Sequence, residues 1–240
     1  MSDLFKPEPW WKKTICAFDL ETTGLDLEKD RICQIAAVKF KGGKVLYRAS
    51  ALVNPGIPIE EEASAHNGIT DAMVAGKPPL TEVAPRFLAF LESADVLCGQ
   101  NVYGYDVPML DKELAEDWQR VVAIRPILDT WPLIKHEKIC GYWPGKGRHK
   151  LPNICTKLGI DCSDLQNVAD DGKPQKGSAD CVMVVRVLWD LLYSRKYGGI
   201  VQDYLTADAM EAERRLRVDF DRHDREFKEW LAKQPPREEG

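Results

Sequence analysis

Three apolar runs of strand length follow one another early in the chain, at residues 14–20, 31–40 and 44–53, with the pair Gly42-Gly43 between the last two. A glycine pair of this kind is a hairpin signal, because glycine takes up the positive φ that the favoured two-residue turns need. The second and third runs are therefore expected to pair antiparallel, with Asn54-Pro55-Gly56 ending the meander. Downstream the periodicity changes. Val83, Phe87, Leu88 and Leu91 fall at helical spacing within residues 81–91, residues 95–99 read as a short buried strand, and residues 107–117 as a second helix. Residues 128–134 suit a short strand or a helix start. Residues 150–158 suit a helix with Pro152 in its first turn and Gly159 as its stop, and residues 178–193 form the longest apolar helix. An antiparallel three-strand meander followed by alternating helices and strands implies an α/β layer fold, a mixed central sheet flanked by helices.

The 240 residues allow one generous domain or a domain with an appendage. After Gly198-Gly199 the composition shifts to dense Glu, Asp and Arg. We therefore divide the chain into an N-terminal arm (1–13), a main domain (14–197) and a charged C-terminal helical extension with a disordered end (198–240). In that extension Leu216, Phe220, Phe227, Trp230 and Leu231 share one helical face, which suits docking on the domain or on a protein partner; a solvated helix is the alternative. Neither a signal-type apolar segment nor a bilayer-length run is present, so the expectation is a cytoplasmic protein with no membrane partner. The cysteines, 7 in number and mostly inside apolar runs, read as core thiols rather than a disulfide framework. Cys140, His149, Cys155 and Cys162 lack the paired spacing of a zinc site. A net charge of −5 argues against a broad basic face for nucleic acid, though not against a site whose bound cations supply positive charge locally.

Asp19 and Glu21 stand two apart at the end of the first strand, so alternation points both to one face and Leu20 to the other. Two carboxylates forced together are tolerated where a divalent cation lies between them, and hard oxygen donors suit Mg²⁺ or Mn²⁺. Alone, the pair also fits a strand end facing water. Asp106 alone fits a helix N-cap, and Asp180 a first-turn helix acid.

Read together, these positions carry a resemblance. The run Phe18-Asp19-Leu20-Glu21-Thr22-Thr23-Gly24-Leu25 resembles the first motif of the DEDD exonucleases, the proofreading-type 3′→5′ enzymes related to the bacterial polymerase III epsilon subunit. Val53-Asn54-Pro55 through His66-Asn67-Gly68-Ile69-Thr70 is similar to the segment that follows it. Gly99-Gln100-Asn101-Val102-Tyr103-Gly104-Tyr105-Asp106 is similar to the second motif, and Gly177-Ser178-Ala179-Asp180-Cys181 to the end of the third. The resemblance spans roughly residues 14–193. It implies an RNase H-like fold, with Asp19, Glu21, Asp106 and Asp180 binding two divalent cations, Mg²⁺ or Mn²⁺, for phosphodiester hydrolysis. It also implies that Thr22 and Leu25 grip the terminal nucleotide and that His66 and Tyr105 border its sugar and base. The expected partner is nucleic acid with a free 3′ end, single-stranded DNA before RNA. The basic run 146–150 suits either phosphate contact or a solvated loop.

One residue departs from the pattern. The DEDDh branch carries a His five residues before the last Asp as general base, and Gln175 stands there; the sister branch has Tyr one position later, where this chain has Lys176. A glutamine amide hydrogen-bonds water but does not take its proton near neutral pH. Three explanations compete: a substitution made to trap substrate, a natural variant that is slow or serves to bind, or a base recruited from elsewhere, such as His149 or Lys176. The expected activity is thus a weakened 3′→5′ exonuclease, with a noncatalytic module binding 3′ ends or a polymerase partner as the alternative.

Overall fold

A computed structural model describes residues 12–135, 150–165 and 176–193. Its five-stranded sheet has the order β3-β2-β1-β4-β5. The meander comprises β1 (Ile15–Thr22), β2 (Ile32–Lys41) and β3 (Lys44–Leu52), each antiparallel to the next. Gly42 and Gly43 both take positive φ, 56° and 76°, as a right-twisted two-residue hairpin requires. β4 (Val96–Gly99) joins the other side of β1 in parallel, and β5 (Ile127–Asp129) joins β4 in parallel, so the sheet is mixed as expected.

Helices cover both faces. α3 (Leu80–Glu92) and α4 (Asp106–Val122) pack on one, while α6 (Leu151–Leu158) and α7 (Lys176–Tyr193) pack on the other. Strand alternation decides which residue meets which layer. Cys16, Phe18 and Leu20 of β1 pack with Phe87, Leu88, Met109, Leu110 and Trp118, whereas Ile15 and Ala17 pack with Val184, Leu188 and Leu191 of α7. β2 is buried on both faces along nearly its whole length, which is why its sequence reads as an apolar run broken only by Gln34 and Lys39, themselves buried, before the exposed end at Lys41. The fully buried Trp118 meets Phe18 edge to face at 5.8 Å, tying α4 to the middle of the sheet.

Most elements match the sequence pattern. The ambiguous stretch after residue 127 is both things in turn, since β5 runs directly into α5 (Thr130–Lys135). Two short helices had no signal: α1 (Glu61–Asn67) and α2 (Asp71–Val74) bury only one residue each, Asn67 and Val74, so apolar periodicity could not reveal them. α4 runs five residues past the expected end at Asp117, beyond a break at Ala115. Asp106 is the first helical residue of α4, with Tyr105 at the N-cap, rather than the cap itself. Asp180 lies a full turn inside α7, not in its first turn. Cys16, Cys33, Cys98, Cys155 and Cys181 are buried and unpaired, as expected of core thiols. No helix among the described residues is long and apolar enough to cross a membrane. The arm before residue 12 and the whole extension from 198 lie outside the described residues.

The turn after β4 is tightly fitted: a Cβ on Gly99 would stand 2.2 Å from Val102 Cγ1 and 3.0 Å from the Phe18 carbonyl. Gly99→Ala is therefore expected to destabilise the protein by about 1–3 kcal/mol, read as a lower urea midpoint. Val102→Ala in the same chain should restore part of the loss. An unchanged midpoint for the single variant would show that this turn relaxes freely.

Candidate active site

The same alternation that buries Ile15 and Ala17 under α7 carries Asp19 and Glu21 onto the α7 face, one strand repeat further along. Asp180, on α7, meets them there. One carboxylate oxygen from each of Asp19, Glu21 and Asp180 lies within 4.8 Å of the others. Asp106 reaches the group from the start of α4, and its Oδ1 accepts the Leu20 N–H at 3.0 Å. The structure thus gathers three of the four expected acids into one cluster and sets the fourth beside it, close enough for its charge to act on Asp19.

Close approach of α7 depends on Gly177. A Cβ there would stand 3.0 Å from Ala36 Cβ, 3.1 Å from Asp19 Oδ2 and 3.2 Å from Gln34 Oε1. Asp19 Oδ2 is itself buried and accepts no hydrogen bond. A buried carboxylate oxygen without a donor is costly, and the cost is relieved by a cation. The electrostatics agree. Burial, followed by the charges of Asp106, Glu21 and Asp180, pushes Asp19 well above the usual carboxylate range. Burial raises Glu21 too, against the opposing charge and hydrogen bond of Lys176. Burial pushes Asp106 up to about 8 despite the stabilising N–H of Leu20. An all-oxygen set of acids, one oxygen unpartnered, fits a hard divalent cation.

Lys176, marked in the sequence by the missing tyrosine and as a candidate recruited base, enters this cluster. Its Nζ donates to Glu21 Oε1 at 2.8 Å and to Asp180 Oδ2 at 3.0 Å. Burial disfavours its charge, yet Glu21, Asp180 and Asp19 outweigh that and hold it above the ordinary lysine range. A proton held more firmly than on a free amine argues against Lys176 as a recruited general base. Its signal was present as an i,i+4 pair with Asp180.

The rim is ordered by hydrogen bonds. Thr22 Oγ1 and Tyr105 Oη both donate to the Gly24 carbonyl, at 2.7 and 2.6 Å, and stand 2.9 Å apart. Asp30 braces the same turn, accepting from Thr23 Oγ1 and from the Asp26 N–H, each at 2.7 Å. The turn presents Leu25 to solvent at 85 % exposure, so Leu25 is no core residue. Asn67 donates to the Thr22 carbonyl at 3.3 Å and ties α1 to the end of β1. Beside it His66 is exposed; burial of part of its ring and the charges of Lys176 and Lys150 depress its pKa, against the pull of Asp180.

Sequence reading missed Asp129, whose buried carboxylate accepts the N–H groups of Asn101 at 2.8 Å, Trp131 at 2.9 Å and Tyr103 at 3.3 Å. It pins the loop that carries Tyr105 and Asp106. A polar residue closing an apolar strand was its only trace. Gln175 and His149 lie outside the described residues, as does the basic run apart from Lys150.

Residues 16–164 match the family model RNase_T, Exonuclease. Over 159 residues the chain is 33% identical to DNA polymerase III subunit epsilon of Treponema pallidum (strain Nichols), an alignment covering 65% of this chain and 70% of that one. It is 32% identical over 156 residues to DNA polymerase III PolC-type of Clostridium perfringens (strain 13 / Type A), covering 65% of this chain but only 10% of that protein. Among solved structures, the ExoI/SSB-Ct complex matches with a TM-score of 0.64 at 17% identity, over 81% of this chain and 43% of that one. The likeness shows the fold, an RNase H-like α/β architecture.

The raised carboxyl groups fix the sign of the pH dependence. In the unfolded chain they ionise near about 4, whereas Asp106 holds its proton up to about 8 in the fold. Between those values the folded state binds more protons, so stability falls as pH rises through the window. In excess EDTA the urea midpoint should drop between about pH 5 and pH 8, and Asp106→Asn should flatten the slope. A midpoint that rises across this range would contradict the electrostatics described.

Proposed function

Since the chain belongs to the exonuclease family, a family of nucleases that hydrolyse phosphodiester bonds, we propose that it is a metal-dependent 3′→5′ exonuclease, acting on DNA in preference to RNA. The reading assigns the exonuclease domain to residues 14–197 and leaves 198–240 as an extension available to a protein partner. Its main support is the convergence of Asp19, Glu21 and Asp180 within 4.8 Å, with Asp106 alongside.

In this reading Asp19, Glu21, Asp106 and Asp180 hold divalent Mg²⁺ or Mn²⁺. Such ions, when bound, polarise the scissile phosphate and make water a competent nucleophile near neutral pH. The chain's own groups do the positioning. Leu25, projecting from the braced Gly24 turn, and the Tyr105 ring beside it offer an apolar seat for a terminal base of any identity. The two hydroxyls on the Gly24 carbonyl keep that seat rigid, and Thr22 contributes to the grip through this network. His66, on the rim with Lys176 and Asp180, borders the terminal sugar. Gln175 stands at the base position and orients water through its amide without accepting its proton.

A second reading, favoured by Gln175, is a module that retains 3′ ends without cutting them. End-labelled single-stranded DNA and RNA incubated with Mn²⁺ separate the two. We expect slow stepwise shortening from the 3′ end, roughly 10²–10⁴-fold faster after Gln175→His, and none after Asp19→Asn. No shortening by either the native chain or Gln175→His would leave the binding module standing. Shortening that survives Asp19→Asn would remove these carboxylates from the chemistry.

A further inference from the structure

The cluster already contains a cation. One helical turn of α7 separates Lys176 from Asp180, and the side chain returns along the helix to lie between Glu21 and Asp180. Only 18% of the Lys176 side chain is exposed, so its ammonium is enclosed with the acids rather than bridging them loosely at the surface. Of the three clustered acids, Glu21 and Asp180 have this cationic partner, while the buried Asp19 Oδ2 has no hydrogen-bond donor.

We propose that Lys176 is a resident cation of the site, filling the place of one of the two divalent ions, so that the chain binds a single divalent ion centred on Asp19. This rests on the metal-site reading above and deepens it. Charge counting supports it. Four carboxylates with no lysine are neutralised by two divalent ions. With one ammonium among them, a single divalent ion leaves one negative charge, whereas a second would reverse the sign of the site. Coordination supports it as well. Mg²⁺ holds carboxylate oxygens at about 2.0–2.1 Å, so an ion bridging Glu21 Oε1 and Asp180 Oδ2 would need the same two oxygens that the ammonium now holds. Ion and ammonium are alternatives there, not companions.

The residue thus sets the number of ions the cluster takes up, an effect readable without any turnover. Mn²⁺ titrated into the full chain by calorimetry, with electron paramagnetic resonance at saturation, should give one ion per chain and a spectrum free of spin–spin broadening. Lys176→Met should take two ions per chain with a broadened spectrum, and bind the first at least about tenfold more tightly. Lys176→Arg, which keeps the charge, should stay at one. Lys176→Gln serves as a second neutral variant should methionine disturb the turn. Two ions in the native chain, or one in both neutral variants, would overturn the resident-cation role while leaving the metal site intact. No Mn²⁺ bound by any folded version would instead overturn the metal-site reading on which the proposal stands.

Discussion

Repulsion among carboxylates held at one end of the sheet is the constraint to which the surrounding structure answers. Asp19 and Glu21 share a face because a strand leaves them no choice, and Asp180 and Asp106 are added from helices on opposite layers. Each addition raises the cost of the ones before it, which is why burial and neighbouring charges together push Asp19 and Asp106 upward. The fold answers with partial remedies. Leu20 gives an N–H to Asp106, the first turn of α4 offers its dipole to the same carboxylate, and Lys176 neutralises part of Glu21 and Asp180. Asp19 Oδ2 receives none of these. A folded chain keeps such a group at a loss of stability, and loss of stability at one buried cluster is characteristic of a site shaped for a ligand rather than for the fold.

Layer architecture was legible because it rests on periodicity. Gly42-Gly43 declared the hairpin, the largely apolar run of β2 declared a strand, and Gly159 declared the end of α6. The four acids were legible for another reason: their spacing within recognisable motifs survives where overall identity does not. What escaped was whatever depends on convergence. α1 lacks an apolar stripe because it holds Asn67 against the end of β1, and the four residues of α2 are too few to show one, with Val74 alone buried. Lys176 was marked in the sequence as standing at the sister branch's tyrosine position and as a candidate base, and only the meeting of α7 with β1 turns it into a partner of Glu21, 155 positions away.

Asp129 shows how support for such a site hides in plain sequence. Its carboxylate gathers N–H groups from the β4–α4 connection and from the start of α5, and burial raises it to about 6 in spite of those hydrogen bonds. The loop it organises includes Asn101 at a φ of 60°, a left-handed conformation that asparagine tolerates better than most residues. The loop then delivers Tyr105 toward Gly24 and Asp106 toward Leu20. Asp129 also adds to the negative field felt by Asp106, so the brace that positions the fourth acid sharpens the repulsion it takes part in.

Gln175, the departure from the family pattern, is followed directly by Lys176, and physical chemistry links the two. An imidazole works as a general base when its pKa lies near the operating pH. A neighbouring ammonium lowers that value, as Lys176 already does to His66 from across the rim. A histidine adjacent in sequence to a fixed positive charge would be a poorer proton acceptor, whereas glutamine carries no proton equilibrium to disturb. If Lys176 supplies one of the site's positive charges, the gain from a histidine at 175 falls toward the lower end of the range that a general base gives. The two residues then act together in how the site balances its charge, and the effect of placing histidine at 175 should depend on which residue stands at 176.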